Sequence, residues 1–484
     1  MEEKAGAQIG KKAFIQSVLI LFGLMMVAGV LTLVVPAGQY ARVTVAGRET
    51  IDPQSFQYVA RPDYPIWRWF VAPIEVLGSS SGLTVIVIII VLFFAGGAFA
   101  VLDKTGTIGA FIGGIVRRFR DRKYLLLPIV CLAFMFLGST LGTFEEVVLL
   151  VPMMIALSYS LGWDALVGLG MSLLATNMGF STAISNPYTL GVAQRLAGLP
   201  LFSGAWLRVL VFLAVYGALV VFLMGYARKI DRDPKASLVH GEDTAERQKY
   251  KGLETALTDI DPRHRQGRAI ACFGFFIVLI FVVMVAGPFV PFISDYALPI
   301  VGVLFLIGGL GAGLLSGAGA RKVWQGLTEG MGGLLPSVPL SLMAASIRYI
   351  IDRGGVTDTL MYAASGPFIR SGPFVAAVAV YVLALGIEFF IASGSAKAFL
   401  MMPILLPLAD LVGTTRQTAV LAYIFGDGFS NMAYPTNPVL LIALGLTVVG
   451  YPKWLRWTAK LWVWVGVITL AFLAIAVAIH FGPF

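Results

Sequence analysis

The chain has 484 residues, of which 58% are hydrophobic and only 13% are charged, and its formal net charge at pH 7 is +9. A soluble protein carries about 25% charged residues, so this composition excludes an ordinary water-soluble domain and predicts an all-α polytopic membrane protein. The basic residues lie in short segments between long apolar stretches, which is typical of cytoplasmic loops and does not indicate nucleic-acid binding.

Long apolar stretches recur along the whole chain. About 20 apolar residues cross the ~30 Å hydrocarbon core of a bilayer, and the first stretch follows the charged N-terminus without a cleavage site, so we expect a retained first helix. We predict nine transmembrane helices, at residues 14–36, 83–102, 164–199, 205–227, 268–290, 297–316, 333–351, 417–449 and 455–481. Two interrupted stretches, 124–161 and 373–412, have halves too short to span and are predicted to be re-entrant hairpins.

Two polar segments separate these elements. Residues 37–82 are predicted to form an external loop with an aromatic interfacial piece, and residues 228–267 a solvated, mobile cytoplasmic loop. Lys and Arg are most frequent in the segments that lie inside when the N-terminus is cytoplasmic, although Arg208 and Arg416 fall on the external side. We therefore predict this orientation in the inner (cytoplasmic) membrane of the cell.

The two halves of the chain carry the same unusual element. GFSTAISNP ends at Pro187 and GFSNMAYPTNP ends at Pro438, and each interrupts an apolar segment. A helix can unwind within a bilayer only against protein or water, and paired interruptions point to the binding site of a transporter. We predict two inverted repeats, 14–227 with hairpin 124–161 and broken helix 164–199, and 268–484 with hairpin 373–412 and broken helix 417–449.

Each predicted hairpin is preceded by matching segments. VLDKTG at 101–106 and IIDRGG at 350–355 are each followed by an amphipathic stretch. Such stretches suit interfacial arm helices that connect a scaffold domain to a moving transport domain.

Charged residues mark the tips of the two hairpins, GSTLGTFEE at 138–146 and EFFIASGSAK at 388–397. An uncompensated charge at the bilayer centre costs about 3 kcal/mol by insertion scales, so these charges should face protein or water. Lys397 could hold a substrate carboxylate or replace a cation, and Glu145 or Glu146 could bind a substrate amine or the coupling proton. Alternatively, Glu146 and Lys397 form a structural ion pair across the tips.

Polar side chains line the tips and both breaks, where oxygen-rich turns suit hard cations such as Na⁺ and half-helix N-termini attract anions. The predicted substrate-binding residues are Thr143, Glu145, Glu146, Ser185, Asn186, Pro187, Thr189, Ser393, Ser395, Lys397, Asn431, Thr436, Asn437 and Pro438. The predicted coupling-ion residues are Glu146, Asn177 and Asp427, of which Asp427 has no basic neighbour in sequence and suits a proton acceptor. Na⁺ could lie near Asn186 and Asn437, or these side chains could merely satisfy freed backbone groups.

Other functional motifs are absent from the sequence. It contains no phosphate-binding G-x-x-x-x-G-K-[ST] loop, no H-E-x-x-H and no G-x-S-x-G. The three histidines do not cluster as metal ligands. We therefore expect neither ATP drive nor an enzyme, and no cofactor beyond a coupling H⁺ or Na⁺.

GTFEE, GFSTAISNP, YTLGVAQRLAGLP and GFSNMAYPTNP resemble the YfcC-like branch of the C4-dicarboxylate anaerobic carrier family, and VLTLVVPAGQY resembles its first span. The resemblance implies kinship with the AbgT-type and sodium–dicarboxylate carriers, which are dimers with scaffold and transport domains, two hairpins, two broken helices and elevator-like motion. Sodium–dicarboxylate relatives carry Ser-Asn-Thr at both tips, where this chain has GTFEE and SGSAK. Acidic residues suit a dianion poorly, and some YfcC-like members are regarded as arginine/ornithine exchangers.

These observations predict a secondary active, elevator-type transporter of a small carboxylate-bearing metabolite, an amino acid or a C4-dicarboxylate, coupled to H⁺, Na⁺ or counter-substrate. An arginine/ornithine-type exchanger is the alternative substrate assignment. The expected partners are the substrate, the lipid bilayer and a second copy of the chain in a homodimer. The competing classes are a passive channel lined by the same breaks and a membrane receptor that uses the 228–267 segment.

Overall fold

The computed structural model describes residues 11–45, 48–52, 55–79, 82–107, 110, 119, 122–142, 144, 146–251, 265–286, 290–335, 337–365, 372–391 and 394–482. This part of the chain is mostly helical. Its α-helices are Lys11–Val34, Trp67–Glu75, Gly82–Lys104, Lys123–Phe136, Val151–Ser160, Ala165–Leu169, Ala175–Thr182, Val192–Leu196, Ala205–Arg232, His240–Lys251, Arg265–Ala286, Pro291–Leu315, Ala320–Gly333, Ser337–Arg353, Thr357–Ser365, Pro373–Glu388, Gly394–Leu411, Arg416–Phe429, Pro438–Gly445 and Tyr451–Ala478.

Helices lie at each of the nine predicted spans. Within the described residues, five helical stretches are long and apolar enough to cross a membrane: Val85–Lys104, Lys123–Thr140, Ala165–Thr182, Ala205–Arg232 and Tyr451–Ala478. Shorter apolar helices include Leu21–Val34, Val147–Ser160, Pro299–Leu315 and Pro373–Glu388. The multi-pass membrane character is therefore supported, whereas the number of crossings and the inverted relation of the two halves stay predictions.

The first predicted hairpin differs from expectation in its first arm. A π-helical turn, Leu137–Leu141, extends the helix that begins at Lys123, so this arm is long enough to span by itself. The extension ends at Gly142, which has a left-handed φ of 69°. A residue with a β-carbon would be strained in this conformation. The chain then returns through a 3₁₀ segment, Glu146–Leu150, and the helix Val151–Ser160.

The apolar residues of the described helices form two clusters. The smaller cluster joins the helices Lys11–Val34, Trp67–Glu75 and Ser337–Arg353. The larger cluster contains the hairpins, the broken helices and the helices Ala205–Arg232 and Tyr451–Ala478, and it also contains residues of Gly82–Lys104 and Pro291–Leu315. Gly82–Lys104 packs closely against Pro291–Leu315 and Ala320–Gly333, since a methyl group at Gly330 would lie 2.2 Å from the carbonyl oxygen of Gly96.

The loop between the first two long helices contains β-structure that the sequence analysis did not predict. Gly38–Gln39 pairs with Gln57–Tyr58, and Arg42–Val45 pairs with Arg48–Ile51, both antiparallel. The strands dock on the helix Thr357–Ser365, since the Tyr40 amide and the Arg42 guanidinium both donate to Asp358. The prediction of an all-α protein is therefore incomplete, because it omits these short β-strands.

The prediction of a solvated loop over 228–267 is wrong for its first half. A helix, His240–Lys251, follows a 3₁₀ turn and packs on the helix Val151–Ser160. Ser237 and the Tyr226 hydroxyl donate to buried Asp164 at 2.7 and 2.8 Å. Charge content alone therefore misjudged this segment, because its polar groups bond to the turn between the first hairpin and the first broken helix.

Candidate functional site

The first broken helix unwinds where the sequence places Pro187. It runs through Ala165–Leu169, a π turn and Ala175–Thr182, and Ala183 then adopts a left-handed conformation with φ 43°. Helical structure resumes at Pro187, where a missing amide donor costs least. The Asn186 carboxamide accepts from the amides of Tyr188 and Thr189 at 2.9 and 3.3 Å, so it caps the second half-helix.

The second broken helix is also interrupted before a proline and resumes under an asparagine cap. Arg416–Phe429 passes into a 3₁₀ turn, and the helix resumes at Pro438 under an Asn437 cap, which accepts from the Val439 amide at 3.0 Å. The Tyr434 carbonyl, which Pro438 cannot satisfy, accepts from the Asn437 amide at 3.2 Å. Here the asparagine satisfies freed backbone groups, as the structural alternative proposed.

The two broken helices cross in direct contact. A methyl group at Gly428 would lie 2.5 Å from the Cα of Ser181 and 2.6 Å from its hydroxyl oxygen. Only a residue without a side chain fits at this crossing, because real β-carbons do not approach backbone atoms so closely. The unwound turns of both halves are therefore held near one another.

The hairpin tips rest on the breaks. Gly394, at the second tip, lies close to both broken helices. A methyl group on Gly394 would be 2.4 Å from the methyl carbon of Thr189 on the first broken helix and 2.8 Å from a carboxylate oxygen of Asp427 on the second. At the first tip, a methyl group on Gly142 would lie 2.4 Å from the Asn186 carboxamide oxygen. The second tip therefore connects elements from both halves of the chain.

A buried charge cluster lies beneath the second tip. The Lys397 ammonium is 2.8 Å from Asp427 Oδ1 and also donates to Glu388 Oε2. The side chains are at most 2% exposed, and their formal charges sum to −1 when all three are ionised. Glu388 Oε1 and Asp427 Oδ2 have no hydrogen-bond partner among the described residues.

This arrangement gives Lys397 a partner that sequence reasoning missed. Glu388 was read only as part of the tip sequence, although an acid that ends an apolar stretch nine residues before a buried lysine is a signal for such a pair. The predicted pairing of Lys397 with Glu146 is not seen, because the Glu146 side chain lies outside the described residues. Asp427 receives its counter-charge from a residue 30 positions away in the sequence.

Several fully buried polar atoms near the breaks have no hydrogen-bond partner in the described part of the chain. They are both carboxamide atoms of Asn177, Asn186 Nδ2, and the hydroxyl oxygens of Thr189 and Thr436. Buried polar groups are satisfied in the great majority of cases. These atoms are therefore available to a ligand.

The remaining predicted residues have different surroundings. Ser185 bonds to the first tip, through its amide to the Ser139 carbonyl at 3.0 Å and its hydroxyl to the Thr140 carbonyl at 3.3 Å. Asn431 accepts from the Asn437 carboxamide at 2.8 Å. Thr143, Glu145 and Ser393, and the side chains of Glu146, Pro187 and Ser395, lie outside the described residues.

Arg208 is a further residue at the first break, and the sequence analysis does not include it among the site residues. Its side chain is only 1% exposed. Its guanidinium donates to the carbonyls of Ile184, Phe202 and Ser203 at 2.8–3.1 Å. It therefore stabilises the unwound turn at Ile184.

The described residues contain no group of three His, Cys, Asp or Glu side chains suited to a metal ion. The carboxamide oxygens of Asn186 and Asn437 both accept backbone amides. A Na⁺ ion near them would have to share these oxygens with the helix caps.

The chain matches a known protein family over most of its length. The model of the C4-dicarboxylate anaerobic carrier (DcuC) family matches residues 14–478. The chain is 30% identical over 481 residues, 92% of each protein, to the "Putative basic amino acid antiporter YfcC" of Escherichia coli K12. It is 26% identical over 365 residues to an uncharacterized protein of Haemophilus influenzae, covering 75% of this chain and 69% of that one.

Two solved transporter structures are similar over nearly the whole chain. The Alcanivorax borkumensis YdaH transporter is 17% identical, with a TM-score of 0.44 and coverage of 97% of this chain and 100% of that one. MtrF of Neisseria gonorrhoeae, described as representing a class of antimetabolite efflux pumps, is 15% identical, with a TM-score of 0.44 and coverage of 96% and 95%.

Proposed function

Since the chain belongs to the C4-dicarboxylate anaerobic carrier family and is therefore a multi-pass membrane transporter of small molecules, we propose that its substrate is a cationic amino acid. Of the two substrate classes that the sequence predicts, this one fits the charge of the site. Transport is secondary active, because the sequence contains no nucleotide-binding loop.

The charge cluster of Glu388, Lys397 and Asp427 carries this proposal. Its formal charge of −1 lies beside the second tip and the first break. Two like charges about 5 Å apart repel by about 3 kcal/mol at an effective dielectric constant of about 20. A dianion would meet this repulsion at both carboxylates, whereas a guanidinium or ammonium group would be attracted by a similar amount.

The unpartnered polar atoms at the breaks suit the other end of an amino acid. Asn186 Nδ2 and the hydroxyls of Thr189 and Thr436 can donate to an α-carboxylate. Both half-helices also begin at the breaks with the positive end of their dipole, while their first amides donate to the asparagine caps. The Asn177 carboxamide can both donate and accept, which suits an α-ammonium or a carboxylate.

The relatives support both candidate substrates to different degrees. The E. coli relative carries the name of a basic amino acid antiporter, which agrees with the cationic assignment. The family description names C4-dicarboxylates, and a dicarboxylate is therefore the second candidate.

In this proposal, the hairpins and broken helices move as a transport domain against the group formed by Gly82–Lys104, Pro291–Leu315 and Ala320–Gly333. The tightly packed glycines of that group support a static scaffold. The protein acts as a homodimer in the inner membrane with a cytoplasmic N-terminus, an orientation supported by the distribution of Lys and Arg.

Counterflow in proteoliposomes tests the proposal. Purified protein is reconstituted with a high internal concentration of unlabelled arginine, ornithine, succinate or fumarate, and uptake of the labelled compound is followed. We expect saturable counterflow of arginine or ornithine and none of succinate or fumarate. Dicarboxylate counterflow without arginine counterflow would overturn the cationic assignment, and flux without saturation or counterflow would identify a passive channel.

A further inference from the structure

The buried cluster of Glu388, Lys397 and Asp427 has a net negative charge that must be neutralised even without substrate. One ammonium faces two carboxylates, and all three side chains are at most 2% exposed. A low-dielectric interior strongly disfavours an uncompensated charge. The cluster must therefore bind one further positive charge whenever it is closed from water.

The geometry favours a proton over a metal cation. The Lys397 ammonium contacts both carboxylates, so a Na⁺ ion bridging them would lie against another positive charge. The free side-chain oxygen atoms next to the second tip in the described residues are Glu388 Oε1, Asp427 Oδ2 and the Thr189 hydroxyl. Two of these three belong to the carboxylates that Lys397 already contacts. A proton needs neither a ligand shell nor a cavity.

Helix dipoles distinguish the two carboxylates. Glu388 is the last residue of the helix Pro373–Glu388, where the negative end of the dipole opposes an anion. Asp427 lies in the last turn of its own helix Arg416–Phe429, but it also lies against Gly394, the first residue of the helix Gly394–Leu411, and the positive end of that second helix offsets the negative end of the first. The proton therefore belongs on Glu388, and Asp427 stays paired with Lys397.

We propose that Glu388 is the proton-binding residue that couples transport to proton movement, an inference that rests on the proposed transport function. A proton adds to the Glu388 carboxylate when the cluster opens to one side of the membrane, and the neutral cluster then closes. When it opens to the other side, the same proton leaves to water and the carboxylate is restored.

Other titratable groups around the cluster are tyrosines. Tyr423 lies on the same helix as Asp427 and its hydroxyl donates to the Gly394 carbonyl. Tyr381 lies on the same helix as Glu388, and its hydroxyl accepts from Thr469 of the helix Tyr451–Ala478. Tyr434 packs its ring on Phe389. In the described residues no second cation contacts the three charged side chains.

Infrared difference spectroscopy tests the proposal without any substrate. The reconstituted protein is taken through a pH change, and the carbonyl stretch of a protonated carboxylic acid is followed in wild type, Glu388→Gln and Asp427→Asn. We expect the band in wild type, its loss in Glu388→Gln and its persistence at a shifted frequency in Asp427→Asn. Glu329→Gln is the matched control, since Glu329 pairs with Lys104 at 2.5 Å outside the cluster and is 29% exposed.

The transport arm measures arginine counterflow in the same preparations as a function of pH. Any counterflow that remains in Glu388→Gln should no longer depend on pH, because the amide imitates the protonated state, whereas Glu329→Gln should keep the wild-type profile. The assignment of the proton to Glu388 would be overturned if the infrared band were lost in Asp427→Asn instead or were unchanged in Glu388→Gln. It would also be overturned if Na⁺ removed the band. Absence of counterflow with an intact Glu388 band would refute the transport proposal alone.

Discussion

Removing the Lys397 ammonium should destabilise the protein strongly, and the loss should be reversible by a second substitution. In Lys397→Met the apolar stem of the side chain is kept while Glu388 and Asp427 lose the positive charge that both contact. Taking away one partner of a buried ion pair costs about 3–5 kcal/mol, because the remaining charge stays buried and unpaired. We expect a loss of this size in the free energy of unfolding.

The double variant Lys397→Met/Asp427→Asn should recover most of that loss. It leaves a single acid, Glu388, which becomes neutral when it binds a proton. Lys104→Met is the control, since Lys104 and Glu329 are 21% and 29% exposed and a partly exposed pair should cost less to break than a fully buried one.

Unfolding by sodium dodecyl sulfate in mixed micelles, followed by tryptophan fluorescence, measures these free energies. An unfolding free energy of Lys397→Met within about 1 kcal/mol of wild type, a size expected only for an exposed pair, would refute a strongly stabilising buried lysine. A double variant no more stable than the single one would show that the unpaired carboxylate is not the cause of the loss.

Three further predictions follow from the breaks and from the helix His240–Lys251. Gly428→Ala should abolish counterflow, because its methyl group would lie 2.5 Å from a backbone atom of Ser181, while Gly386→Ala, which meets nothing within 4 Å, should transport like wild type. Thr436→Val should raise KM about 10-fold at unchanged folding, as expected for one lost hydrogen bond of about 1.4 kcal/mol. Thr176→Val, whose hydroxyl already bonds to Ser172, should leave KM unchanged, and an equal effect in both variants would contradict a ligand role. Burial, partly offset by Arg247, raises the pKa of Asp243 from 3.8 to about 7, so helix docking should be strongest below about pH 4 and weaken as the pH rises to about 7. Hydrogen exchange of the His240–Lys251 amides should show this weakening in wild type and not in Asp243→Asn, and identical profiles would refute it.

The sequence predicted the features that depend on local chemistry. Pro187 and Pro438 each lack an amide donor, and the asparagine before each proline is a strong N-cap, so the breaks could be placed to within a few residues. The family assignment is confirmed by the family match across the chain. The roles of the predicted site residues stay predictions.

The features that the sequence did not reveal depend on contacts between distant segments. Glu388 meets Lys397 only because the second hairpin folds back on itself, and Arg208 is buried only because the turn at 202–204 returns to the first break. The β-strands near Arg42 are two to four residues long, and their position depends on Asp358, 316 residues away in the chain. Patterns of hydropathy carry no information about such pairings.

The docking of the strands on Asp358 has a practical consequence. Phe56 also stacks on Tyr362 with ring centroids 3.9 Å apart, so this patch contacts the helix Thr357–Ser365 at two places. A spectroscopic label at the 62% exposed Tyr58 would report every displacement of that helix during the transport cycle, without placing a probe among the ligands.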